Sequence, residues 1–268
     1  MSVICPLCRG PLARQPRVWR CTQGHSFDVA REGYVNLLPV QHKKSRDPGD
    51  DALMVMARRA FLEADHYRPL RDALLARLAP LAANTLLDIG CGEGYYTGAF
   101  ADAVPEVIGV DIARTAVRMA ARRHPGLTWL VASGAHLPLA DASVDVITNV
   151  FTQLHVGEMQ RVLRPDGHLL VVSPAARHLW TLREQLFDDV RAHQPDKFLA
   201  TLEAGFTLLD RHEVSVPLQL SPPALQQLLQ MTPYAWKARP EKRQALVAFD
   251  LFETEAVFSL MRFTRRPD

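Results

Sequence analysis

Two sets of residues in this 268-residue chain have the types and spacing to do chemistry. The first is Cys5-Pro6-Leu7-Cys8, answered after twelve intervening residues by Cys21 and after three more by His25. A pair of thiolates on one tight knuckle and a thiolate with an imidazole on a second make a closed tetrahedral zinc set, with no open position for water. Such a site is structural. Its binding energy is folding energy for a module too small to have a core of its own. Free thiols in a small core are the competing reading, and they leave one fact unexplained: every cysteine except Cys91 falls within the first 21 residues.

The second set is Asp88-Ile89-Gly90-Cys91-Gly92-Glu93-Gly94, with Asp111 seventeen residues after it. Thr85 to Ile89 is a short apolar run, and the glycines that follow let a backbone turn tightly and approach a ligand. Ala99 to Val104 is expected as helix, and Val107 to Asp111 as a second strand ending in a carboxylate. Strand, glycine turn, helix and an acid after the next strand describe a nucleoside held at the carboxyl ends of parallel strands, the acid on the ribose hydroxyls. Asp88 separates this pattern from a dinucleotide site. A carboxylate in the turn repels a pyrophosphate but accepts hydrogen bonds from a cationic cofactor without phosphates, which favours S-adenosylmethionine over NAD. Cys91 reads as a small residue fitting the turn.

These sets need elements to hold them. From Thr85 the chain alternates strand and helix, with further strands expected at Leu127 to Ala132, Val144 to Phe151 and His168 to Ser173, and helices at 113–123, 157–163 and 177–193. That alternation predicts an α/β doubly wound, Rossmann-like sheet. Arg164-Pro165-Asp166-Gly167 reads as a turn before the fifth strand, and Val257 to Phe263 as an antiparallel strand at the sheet edge. Upstream, Leu70, Leu74, Leu75 and Leu78 recur at helical spacing as a buried stripe. Gln41 to Asp51 is polar and broken by Pro48-Gly49, which marks a linker. The division is therefore 1–46 for the zinc-binding module and linker, 47–84 for a helical connection and 85–268 for the cofactor-binding domain.

Charge is unevenly placed. The chain has 31 bases and 29 acids; residues 1–46 hold eight of the bases and two of the acids, +6, leaving −4 for the rest. A localised basic surface fits a polyanion partner. Arg9, Arg14, Arg17 and Arg20 interleave with Trp19, with Phe27 and Tyr34 following, and Lys43, Lys44 and Arg46 are placed to meet phosphates. Guanidinium planes and rings suit unpaired RNA bases; for Trp19 and Phe27 the plainer reading is cover for the metal. No apolar run reaches the roughly 20 residues of a membrane span. With no secretory start and no disulfide framework, the cytoplasm is the expected compartment.

The glycine turn, Asp111, Leu137-Pro138-Leu139 and Arg164-Pro165-Asp166-Gly167 together resemble class I S-adenosylmethionine methyltransferases. The zinc spacing joined to Gly33-Tyr34-Val35-Asn36-Leu37-Leu38-Pro39 and to residues 43–50, KKSRDPGD, is similar to the bacterial 23S rRNA (guanine-N1)-methyltransferases. Ala57-Arg58-Arg59-Ala60-Phe61-Leu62 and Met231-Thr232-Pro233-Tyr234-Ala235-Trp236 fit the same family. The resemblance implies zinc on Cys5, Cys8, Cys21 and His25. It implies S-adenosylmethionine near Tyr67, along the turn through Asp88, Gly90, Gly92 and Gly94, at Tyr95, Tyr96 and Asp111, and near His178. It further implies a guanine in a hairpin loop of 23S rRNA domain II as substrate, and a homodimer. One block departs: after Phe151-Thr152 stands Gln153, where the family usually has proline.

Guanine N1 carries a proton at neutral pH, so something must accept it or stabilise charge growing on O6. The sequence names no base; Asn149, Gln153, His155 and His178 are the polar residues its strand ends bring into consideration. Two other classes compete: a small-molecule methyltransferase with a merely structural zinc module, and a non-catalytic RNA-binding protein of the same fold.

Overall fold

The structure is a computed structural model, and it describes residues 2–42, 45, 48–194, 196–246 and 248–266. Lys43, Lys44 and Arg46, read above as phosphate contacts, lie outside the described residues. The front of the chain forms β1 (Leu12–Arg14), β2 (Val18–Cys21) and β3 (Ser26–Asp28), a three-stranded antiparallel sheet, then β4 (Tyr34–Asn36). Helices α1 (Ala52–Glu63) and α2 (Arg68–Leu78) follow. Asp51 caps α1 by accepting from the Met54 N–H at 2.8 Å. On α2, Leu70, Leu74 and Leu78 are buried and Leu75 is half-buried against the same core, as the stripe predicts.

The main body runs β5 (Thr85–Ile89), α3 (Tyr95–Phe100), β6 (Glu106–Asp111), α4 (Arg114–Arg123), β7 (Thr128–Val131), β8 (Val144–Val150), α5 (Val156–Val162) and β9 (Leu163–Pro174). After it come α6 (Trp180–Leu186), α7 (Asp196–Leu202), β10 (Phe206–Leu220), α8 (Pro222–Gln230), α9 (Tyr234–Lys237), α10 (Pro240–Leu246) and β11 (Phe252–Arg265). One eight-stranded sheet orders these as β10-β11-β9-β8-β5-β6-β7-β4, parallel from β4 to β9 and antiparallel through β10 and β11. Every residue of β5 is buried, as a strand covered on both faces must be. The order reverses at β5, where β6 lies on one side and β8 on the other, and a ligand crevice opens at such a point.

Several expectations shift. The first helix of the main body is Tyr95–Phe100 rather than 99–104, because it starts directly at the glycine turn. The helix expected over 177–193 is confined to Trp180–Leu186, with irregular chain from 187. Arg164 to Gly167 belong to β9, but they loop out of its ladder, since Leu163 pairs with Val144 and the next pair is Val146 with His168. The antiparallel strand is present but lies inside the edge; β10 is the outer strand.

The front segment is built into this sheet. β4 pairs in parallel with β7, Val3 bridges Leu139, and Ile4 N–H donates to the Pro138 carbonyl at 3.0 Å. Cys5, Trp19 and Cys21 share one buried cluster with Leu130, Leu137 and Leu139.

Candidate active site and metal centre

At the metal centre, each knuckle is a backbone turn. Arg9 N–H donates to the Cys5 carbonyl at 2.8 Å, and Gly24 N–H donates to the Cys21 carbonyl at 3.1 Å. Gly24 takes φ +86°, open to glycine at little cost. These turns bring Cys8 Sγ to 3.6 Å from Cys21 Sγ, and His25 Nδ1 to 3.6 Å from Cys5 Sγ and 3.3 Å from Cys21 Sγ. All four ligand atoms lie within 4.8 Å of one another. Ligands about 2.3 Å from a tetrahedral zinc ion sit about 3.8 Å apart, so the set fits zinc with only small side-chain adjustment.

Trp19 is 8 % exposed in this module and Phe27 is half-buried, which matches cover for the metal. Tyr34 is buried too, its hydroxyl accepting from Arg114 Nε at 2.8 Å. The stacking of RNA bases on Tyr34 is therefore corrected: its ring, like that of Trp19, is spent on the interior. Arg14 reaches back to the main body, donating to Thr128 Oγ1 at 3.3 Å and lying 5.0 Å from the Trp19 ring. Arg17 and Arg20 stay exposed.

At the second site, Gly90, Gly92 and Gly94 all take positive φ. A Cβ at Gly90 would lie 2.6 Å from Thr152, while one at Gly92 would meet only Arg58 Nη1 at 3.5 Å, so the turn is a cradle only glycine leaves open. Gly90 and Cys91 donate to the Val110 carbonyl at 2.8 and 3.1 Å, and this anchors the turn to β6. Asp111 completes it by accepting from Gly92 N–H at 2.9 Å and from Ala113 N–H at 2.7 Å. Burial raises the Asp111 carboxyl above its ordinary range, and the two N–H groups oppose that rise. Burial also pushes up the Cys91 thiol, which suits a residue that only fills space.

Asp88 differs from the expectation. Its two oxygens accept from Thr97 at 2.5 Å and Thr148 at 2.7 Å, pinning β5 to α3 and β8 from beneath the turn. The hydrogen bonds expected from a cofactor are made here by two threonines. Burial raises its pKa to about 6.

The aromatic residues divide between two places. Tyr95 donates to Asp65 Oδ1 at 3.2 Å, while the buried Tyr96 hydroxyl and Glu93 Oε2 have no hydrogen-bond partner among the described residues. Those orphaned atoms beside an open glycine turn fit a site completed by a polar ligand. Tyr67 and His178 meet through Phe258, 4.9 Å from each. His178 Nδ1–H donates to the Val257 carbonyl at 2.9 Å, which leaves Nε2 as the lone-pair nitrogen, and burial lowers its pKa to about 3. Asn149 Nδ2 donates to the Gln153 carbonyl, and His155 packs on Gly134.

The placement of two other residues was not legible in the sequence. Arg58 lies over Gly92 and pairs with Asp50. Phe151, at the end of β8, takes φ +58° with its ring 45 % exposed and 5.3 Å from Phe258. A bulky residue in that conformation stores strain, as functional sites do.

Residues 3–46 match the zinc-ribbon family described as RlmA, N-terminal, and residues 87–171 match the family described as Methyltransferase domain. The 23S rRNA (guanine(748)-N(1))-methyltransferase of Streptomyces fradiae is 36% identical over 91% of this chain and 89% of its own. A Micromonospora griseorubida protein, whose name marks it as a candidate 23S rRNA (guanine-N(1)-)-methyltransferase, is 38% identical over 97% of this chain and 95% of its own. The chain belongs to the 23S rRNA (guanine-N1)-methyltransferase family. Among solved structures, the YcgJ protein of Bacillus subtilis is similar in fold, with TM-score 0.51 and 22% identity over 74% of this chain and 98% of that one. This methyltransferase therefore has the class I fold with an N-terminal zinc ribbon, and S-adenosylmethionine and structural zinc as its cofactors. Among the described residues, no helix is long and apolar enough to cross a membrane.

Proposed function

We infer that this protein transfers a methyl group from S-adenosylmethionine to N1 of a guanine in a hairpin loop of 23S rRNA, in the cytoplasm and as a homodimer. The observation that carries the reaction is the near full-length relation to the Streptomyces fradiae enzyme, which is named for N1 methylation of a 23S rRNA guanine. The residues argue the same way. Cys5, Cys8, Cys21 and His25 hold the zinc. The backbone at Gly90, Gly92 and Gly94 lets the cofactor approach, Asp111 holds its ribose, and Tyr67, Tyr95, Tyr96 and His178 wall it in; Asp88 braces the turn.

When bound, the cofactor supplies an activated methyl group on a sulfonium, so this chain's own task is mainly to orient the acceptor and manage its proton. The exposed Phe151 ring gives a guanine turned out of its loop a surface to stack on. Residues 1–46 act as the RNA-contacting module, 47–84 as the helical connection and 85–268 as the methyltransferase domain. Arg17 and Arg20 present exposed charge to RNA phosphates.

The test is to incubate the purified protein with labelled S-adenosylmethionine and 23S rRNA lacking its modifications, then map the label. Label at N1 of one loop guanine is the expected result. Label elsewhere, or none from a protein that binds the cofactor, overturns the reading. Light scattering checks the homodimer.

A further inference from the structure

Beyond residue 46 the chain is acidic on balance, yet one face of that part is strongly basic. Helix α4 carries Arg114, Arg118, Arg122 and Arg123 among its ten residues, and no acid. Its buried side is Ala116, Val117, Ala120 and Ala121, and all four arginines are exposed. Arg118 and Arg122 stand about 6 Å apart along the axis, and like charges at that spacing repel. Arg122 and Arg123 lie in the last turn, where cations offset the helix dipole. Arg118 sits mid-helix and makes no hydrogen bond or ion pair among the described residues. Helix stability therefore accounts for the terminal arginines and leaves Arg118 without a task.

These side chains border a cleft. Arg118, Arg122 and Arg123 line a cavity of about 340 Å³ together with Arg59 of α1, which is also exposed, and Met119. Met119 packs against Val55 of α1, Ala113 and Ala116, so the cleft follows the seam between the two helices. Two acids hold three of the arginines in place. Glu63 accepts from Arg59 Nε at 2.8 Å and from Arg123 Nη1 at 2.5 Å, which ties α1 to α4. Glu32, in the turn between β3 and β4, accepts from Arg122 Nη2 at 2.8 Å. A guanidinium has five N–H donors, so each arginine keeps most of its donors after these bonds. Four cations against two carboxylates leave an excess of two positive charges at the opening.

We propose that the cleft between α1 and α4 binds the sugar-phosphate backbone of 23S rRNA, as a second contact separate from Arg17 and Arg20 of the ribbon. The proposal rests on the rRNA reading above. Guanidinium forks held in place match phosphate oxygens, and Arg118 adds a charge that no carboxylate neutralises. A small-ligand pocket has mostly apolar walls, whereas this cleft is walled by guanidinium groups, which suits a polyanion lying across it. Glu32 belongs to the front segment, so the cleft abuts the module already read as RNA-contacting. Arg122 lies about 13 Å along the helix from Ala113, whose N–H donates to Asp111. That separation places the gripped backbone some nucleotides from the reacting guanine. The cleft thus contributes affinity and register without touching the chemistry.

The experiment measures binding of unmodified 23S rRNA to the full-length protein across a salt series. It adds hydroxyl-radical footprints of the RNA, S-adenosylmethionine affinities and melting curves. Arg118→Gln is expected to lower the slope of log affinity against log salt by about 0.7–0.9, and Arg118→Glu to weaken binding roughly 10-fold at low salt. Arg118→Lys keeps the charge and should keep the wild-type slope. In Arg118→Glu, protection of backbone away from the methylated nucleotide is lost, while cofactor affinity and melting temperature stay at wild-type values. Wild-type slope and footprint in Arg118→Glu overturn the proposal and leave an acidic protein surface as the occupant. An equal loss of slope in Arg118→Lys and Arg118→Gln also overturns it, because charge is then not what binds. So does a loss of binding that tracks a fall in melting temperature. Failure of the underlying reading looks different: the wild-type protein then transfers no label to 23S rRNA.

Discussion

The backbone N–H of Gly92 donates to Asp111 Oδ2 at 2.9 Å, so the glycine turn and the acid at the end of β6 form one unit. Asp111→Asn places an amide that can donate where two N–H groups need acceptors. Hydrogen bonds to a charged group contribute about 1.5–3 kcal/mol each, so S-adenosylmethionine affinity should fall roughly 10- to 150-fold. Calorimetric titration checks this, and an unchanged affinity would remove Asp111 from the cofactor site.

Asp88 gives a pH signature of unusual sign. Its folded pKa of about 6 stands above the ordinary 3.8, so the folded state holds a proton that the unfolded state has released. That contribution to stability is complete below the ordinary value and is lost as pH rises through about 6. Asp88→Asn keeps partners for Thr97 and Thr148 without the charge. Its stability relative to wild type should rise by about 2–3 kcal/mol between pH 4 and 7. Urea unfolding at a series of pH values measures the difference, and a flat one would contradict the buried carboxyl described here.

Removing zinc should unfold the ribbon. Structural zinc supplies about 10–16 kcal/mol of apparent binding energy in peptides of comparable design. Chelation, or Cys21→Ser, is expected to shift tryptophan emission to the red, because Trp19 loses its cover. The purified protein should carry one zinc per chain by atomic absorption. A spectrum indifferent to chelator would argue for a module held by packing alone.

Arg14 and its neighbours should separate in function. Arg17→Gln and Arg20→Gln each remove an exposed charge, and each should lower the slope of log affinity against log salt by about 0.7–0.9 for RNA. Arg14→Gln should instead lower the melting temperature, since Arg14 ties the ribbon to Thr128 and Glu106. Filter binding across a salt series distinguishes the two; equal slopes in all variants would place the RNA elsewhere.

The glycine turn, Asp111 and the four metal-site residues were legible because local spacing dictates them: a knuckle or a tight turn needs particular residues within a few positions. The direction Asp88 faces was not, since Thr97 and Thr148 come from elements nine and sixty residues away. Tyr34 looked like a free aromatic beside arginines until Arg114, eighty residues on, proved to bind its hydroxyl. The helix over 177–193 was overextended because apolar spacing continues past Leu186 where the backbone does not.

β4 has a further consequence. By pairing with β7 it closes the outer flank of the parallel array, where a row of backbone groups would otherwise face water. An open flank of that kind is a template for another chain. A newly made polypeptide that fails to acquire its ion, and so lets the front segment drift from β7, carries an adhesive border. Metal supply during synthesis then governs whether such molecules mature or gather into aggregates.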